Sequence, residues 1–137
     1  MPERPWEKVH TVVDVHDLWP LEGLADLDGR PHFYKRQFDE ERDEWSEIFL
    51  LRPADPDSVA MELELWAIWQ RWKMAFDQGS VSKATHPALP DERARYDELK
   101  AAMDDRQYPG PEDCQRMSAR FRATPGTNPE VQWIPVE

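Results

Sequence analysis

The stretch Leu21-Glu22-Gly23-Leu24-Ala25-Asp26-Leu27-Asp28-Gly29-Arg30-Pro31-His32-Phe33-Tyr34-Lys35 decides how the first third of the chain folds. Asp28-Gly29 suits the positive φ angles of a two-residue hairpin turn, and apolar residues flank it on both sides. With the turn placed there, Leu27 faces Arg30, Ala25 faces His32, Leu24 faces Phe33, Gly23 faces Tyr34 and Glu22 faces Lys35. The register is self-consistent. Leu24 lies beside Phe33, Glu22 meets an opposite charge, and the absent side chain of Gly23 leaves room for the Tyr34 ring.

Outward from this hairpin, Val9, Thr11, Val13 and Val15 alternate with His10, Val12, Asp14 and His16. A period of two predicts a strand whose Val9 face is core. Trp19-Pro20 interrupts between this strand and the next. On the other side, Asp39-Glu40-Glu41-Arg42-Asp43-Glu44 reads as a solvated acidic loop joining the Pro31–Phe38 strand to one running from Trp45 to Leu51.

Arg52-Pro53-Ala54-Asp55-Pro56 then ends the sheet and opens a helix, with Asp55 as N-cap and Pro56 at the first helical position. The helix is expected to reach about Gln78 and stop at Gly79. At 100° per residue, Met61, Leu65, Ile68, Trp69, Trp72, Ala75 and Phe76 form its core face. A second stripe carries Val59, Leu63, Trp66 and Met74 among Glu62, Gln70 and Lys73. Ser80 to Pro90 is a linker. Asp91 to Asp105 is a shorter helix with Tyr96, Leu99, Ala102 and Met103 on one side and an Asp91/Arg95 pair on the other. Tyr108-Pro109-Gly110-Pro111 breaks it, and Met117–Arg122 and Val131–Val136 are expected as short strands in the tail.

These elements predict an α+β fold: an antiparallel sheet of about four strands packed on a long helix, with a second, shorter helix and a short irregular or β tail. The chain reads as one domain over 1–137, with the sheet in 9–52, the helices in 56–106 and the tail in 107–137. Its 137 residues suit a single core, and 7 Trp, 5 Phe and 3 Tyr supply the bulk to fill one.

Composition narrows function by exclusion. No apolar run approaches the roughly 20 residues of a membrane span, and Met1 to Trp6 lacks the pattern of a signal peptide. The single cysteine, Cys114, cannot form an internal disulfide, so a cytoplasmic protein is expected, with Cys114 an ordinary surface thiol. The net charge of −11 disfavours phosphate backbones and anionic lipid and points to a basic protein partner. There is no phosphate-cradling glycine loop and no serine elbow.

One constellation carries potential chemistry: His10, Asp14, His16 and Asp17 together with His32. Residues two apart on a strand face lie about 6.6 Å apart, so Asp14 and His16 are spaced to share a metal or a proton. A metal centre needs three or four protein ligands, so His32 or a helix residue would have to converge on them. No metal and no cofactor is expected. Asp14, His16 and His32 are therefore the candidates for a small ligand- or metal-binding domain or enzyme. Trp66, with Leu63 and Met74, lies off the main helix stripe. It is either covered by the second helix or exposed as an interface anchor.

Taken together, Val9–Asp17, Gly23–Asp26, Gly29–Tyr34, Asp43–Ser46, Trp66–Trp72 and Thr85–Pro90 resemble a group of small uncharacterised bacterial proteins. The resemblance covers residues 6–106. It implies a small bacterial cytosolic domain and brings no catalytic residue with it. The expected function is that of a protein-binding or regulatory protein of adaptor, inhibitor or immunity type. The alternative is the ligand-binding or enzymatic use of Asp14, His16 and His32.

Overall fold

Asp28 and Gly29 adopt φ of 56° and 77°, the paired positive values that a tight hairpin turn requires. Around them β2 (Trp19–Leu27) and β3 (Arg30–Asp39) pair in the register the alternation predicts, from Leu27 opposite Arg30 to Glu22 opposite Lys35. The computed structural model describes residues 4–16, 19–103 and 114–136. The remaining elements are β1 (Glu7–His16), β4 (Glu44–Pro53), α1 (Pro56–Asp77), α2 (Arg93–Met103), β5 (Gln115–Arg122) and β6 (Glu130–Pro135), with short 3-10 turns at Lys83–Thr85 and Pro90–Glu92.

The six strands close into an antiparallel barrel in the order β1-β2-β3-β4-β5-β6. β5 pairs with β4 from Ile48/Ser118 to Leu51/Gln115, β6 pairs with β5, and β6 returns to β1 at Glu7/Val131 and Lys8/Glu130. This overturns the α+β expectation of a four-stranded sheet packed on a long helix. The tail supplies two full strands, so the apolar face of the sheet is filled by its own strands and needs no helical layer. The chain divides into two compact units, the barrel (1–55 and 107–137) and the helical segment 56–106.

The barrel core contains Val9, Ala25, Leu27, Tyr34, Phe49, Leu51, Met117, Val131 and Trp133, with Val12, Ala119 and Phe121 packed against it. Trp133 is fully buried, and its ring meets Phe49 edge-on at a centroid separation of 5.7 Å and Tyr34 in a tilted contact at 6.0 Å. The polar atoms in this core are satisfied: Trp133 Nε1 donates to Asp26 O, Tyr34 Oη to Thr11 O, and Leu24 N to Thr11 Oγ1. Gly23 is required by close approach. A Cβ there would stand 2.1 Å from the Thr11 carbonyl oxygen, a harder obstacle than the Tyr34 hydroxyl at 3.0 Å.

β1 departs from simple alternation. Val9 and Thr11 point inward as expected, but Val13 and Val15 are 42% and 55% exposed. Register shifts at Val9/Thr11, Val12/Asp14 and Asp14/Val15 hand the inward place to Val12. Pro20, expected to interrupt, lies near the start of β2 and pairs with Val15.

In the helical unit, Pro56 opens α1, and Gly79 at φ 78° closes it. Ser80 N donates to Ala75 O and Gly79 N to Phe76 O, the paired bonds of a Schellman stop. Ser58, Glu62, Leu65, Ile68 and Trp72 are buried, whereas Trp69 is only half-buried. On α2, Leu99 and Met103 are buried. Arg95 pairs with Glu64 and Glu98 rather than with Asp91. The predicted end of this helix at Asp105 and the Tyr108–Pro111 break lie outside the described residues.

Candidate interaction surface at one end of the barrel

The end of β1, the start of β2, the end of β3 and the start of β4 lie at the same end of the barrel, because neighbouring strands run antiparallel. Four large apolar side chains are exposed there: Val13, Val15, Trp19 at 38% and Phe38 at 44%. Phe38 and Trp45 are direct cross-strand partners and meet edge-on with centroids 5.1 Å apart. The His16 ring lies tilted against Trp45, with centroids 6.2 Å apart. Trp19 stacks at 6.0 Å on Phe121, which packs against the core.

A shift between Arg36/Phe49 and Phe38/Trp45 brings Phe38 opposite Trp45. The shift leaves β4 with two residues more than β3 between these pairs, and Arg36 Nε donates to Ser46 O there at 2.5 Å. Beside this lies a cleft of about 180 Å³ lined by Asp14, Leu21, Glu22, Lys35, Arg36 and Trp45. The acidic loop leaves from Phe38 and returns into Trp45, and so borders this aromatic pair. Asp39 Oδ1 accepts from Glu41 N and Arg42 N at 3.1 and 3.2 Å, so the loop is organised by its own first carboxylate.

The expected grouping of Asp14, His16 and His32 does not form. Asp14 pairs with Glu22, His16 with Trp19 and His32 with Ala25, so along β2 the positions lie three and six residues from that of His32, about 10 and 20 Å. His32 is buried, with Nδ1 2.8 Å from Arg30 O. Asp14 is exposed and accepts from Val15 N. His10 is engaged elsewhere, its Nε2 being 2.8 Å from Asp26 Oδ1. Asp17 lies outside the described residues. Among those described, no three His, Cys, Asp or Glu side chains are placed to hold a metal ion, and Cys114 is half-buried. What the structure joins is Asp14 and His16 with Trp45. Reading Asp39–Glu44 as a solvated loop passes over the aromatic residues on either side of it, Phe38 and Trp45, which are the signal that could have found this surface.

Trp66 is half-buried and stacks on Trp69 at 5.2 Å, while Leu63 and Met74 are 40% and 63% exposed. α2 does not cover Leu63 and Met74 of this stripe. Arg95 binds Glu64 and Arg71 binds Glu92, which ties α2 and the 3-10 turn before it to the flank carrying Glu64 and Arg71. Two residues on from Glu64, Trp66 is turned about 200° away from it. The hydrogen bonds from Arg95 hold the Glu64 carboxyl below its ordinary range, and those from Arg71 do the same for Glu92. Burial raises the Tyr96 phenol.

Comparison with protein-family models, curated sequences and solved structures finds no match for this chain. No helix among the described residues is long and apolar enough to cross a membrane.

Proposed function

We propose that the chain is a non-enzymatic protein-binding protein of adaptor, inhibitor or immunity type. One observation carries this reading. Large apolar side chains stand out at the surface of both compact units, Trp19 and Phe38 on the barrel and Leu63 and Met74 on α1, although the barrel has a filled interior. Grouped, exposed apolar surface of this kind belongs to interfaces, where burying it against a partner is favourable. The net charge of −11 adds attraction for a basic surface.

The test is direct association with a purified partner. Affinity capture from the source cells should return a protein that, once purified, binds the chain in a fixed ratio by calorimetry and shifts its melting midpoint upward. A chain that binds no purified protein yet turns over or is stabilised by a small molecule would overturn the reading.

A further inference from the structure

We infer that the partner docks on the end of the barrel that carries Phe38, Trp45 and the β3–β4 loop, through an apolar anchor flanked by lysine or arginine; this rests on the protein-binding reading above. The apolar centre is Phe38 with Trp45, with Trp19 also exposed at this end, and the rings are held in place. Phe38 is held edge-on by Trp45, Trp45 is backed by His16, and Trp19 is stacked on Phe121, so little side-chain freedom remains to be lost on binding.

The chemistry of the loop selects the partner. Asp39 and Glu44 are direct cross-strand partners, an arrangement in which like charges repel. Arg42 reaches both carboxylates only at 3.9 Å, and it is the single cation among Asp39, Glu40, Glu41, Asp43 and Glu44. The loop is pinned in this shape by the hydrogen bonds to Asp39 and by Asp43 at φ 52°. It therefore keeps a net negative charge that Arg42 only partly offsets, beside the exposed Phe38, and a cationic segment laid across it relieves the remaining repulsion while its apolar residue covers Phe38. The α1 stripe lacks this asymmetry, since Lys73 beside Leu63, Trp66 and Met74 is already paired with Asp77 at 2.6 Å.

The experiment places a photo-cross-linking phenylalanine analogue at position 38 or position 63 of the full chain in the source cells. The captured protein is then purified and its affinity measured at low and high salt. A cross-link from position 38, mapped to a Lys/Arg-rich segment, is the expected result. Phe38→Ser should weaken binding about tenfold or more at any salt. Glu40→Lys with Glu41→Lys should slow association about tenfold at low salt, and the difference should shrink at high salt. Both sets of changes are on exposed side chains, and unchanged melting midpoints check the fold. Capture from position 63 alone leaves the protein-binding reading standing and overturns this site. Capture from neither position overturns both. A partner segment that is not basic, or an affinity indifferent to the loop charges, refutes the assignment of the partner.

Discussion

Trp133→Ala tests whether the tail closes the barrel. Trp133 sits on β6 with no exposed surface and touches Tyr34 on β3, Phe49 on β4 and Phe121 on β5, so its ring is shared by four strands. Emptying a large aromatic site of this kind costs about 3 to 5 kcal/mol. The substitution also strips Asp26 O of the Nε1 hydrogen bond, which adds about 1 kcal/mol. The sum, about 4 to 6 kcal/mol, is comparable to the whole stability of many domains. Urea melts followed by far-ultraviolet circular dichroism are the suitable assay, because tryptophan fluorescence would change with the substitution itself. Trp133→Phe keeps most of the ring volume and loses the hydrogen bond, and should cost about half as much or less. Val13→Ala, on an exposed position of the same barrel, should stay within about 0.5 kcal/mol. A loss under about 1.5 kcal/mol for Trp133→Ala would show that β6 does not close this core.

Gly23→Ala should cost at least about 2 kcal/mol in the same melts, since its Cβ has no room beside Thr11 O and the backbone must shift; a neutral result would refute the close approach. Trp72→Ala should cost about 3 to 5 kcal/mol, because the ring is buried and its Nε1 donates to Thr85 Oγ1, whereas Trp69→Ala, half-buried, should cost less than half of that. Glu64 and Glu92 have folded-state values depressed by Arg95 and Arg71. Their stabilisation is therefore complete above the unfolded glutamate value of about 4.3 and is lost as pH falls through the lower folded value. Both groups are near the surface, so the effect should be about 1 kcal/mol or less for each. The midpoint of the helical signal should fall below about pH 4, and Glu92→Gln should flatten that fall.

Local chemistry written in consecutive residues was legible in the sequence. Asp28-Gly29 dictates the β2–β3 hairpin because few other dipeptides accept two positive φ angles, and the turn sets every pair from Leu27/Arg30 to Glu22/Lys35. Pro56 and Gly79 bound α1 for equally local reasons. The candidate site was legible only in pieces. Asp14 and His16 stand at the surface it forms, but their neighbours Trp45 and Phe38 come from strands that alternation cannot align in space. His32 lies elsewhere because its position along β3 sets it beside Ala25 and Pro53.

Tertiary structure alone decided the rest. β5 is rich in arginine, with Met117, Ala119 and Phe121 as its inward side, so its hydrophobic signal is weak until Phe49, Trp133 and the other strands surround it. Whether a sheet stays open against a helix or closes on itself depends on the β4–β5 and β1–β6 pairings, which join residues far apart in the chain. Such pairings carry no local signature, because the free energy that favours them comes from burying Trp133 and its neighbours together rather than from any one segment's preference.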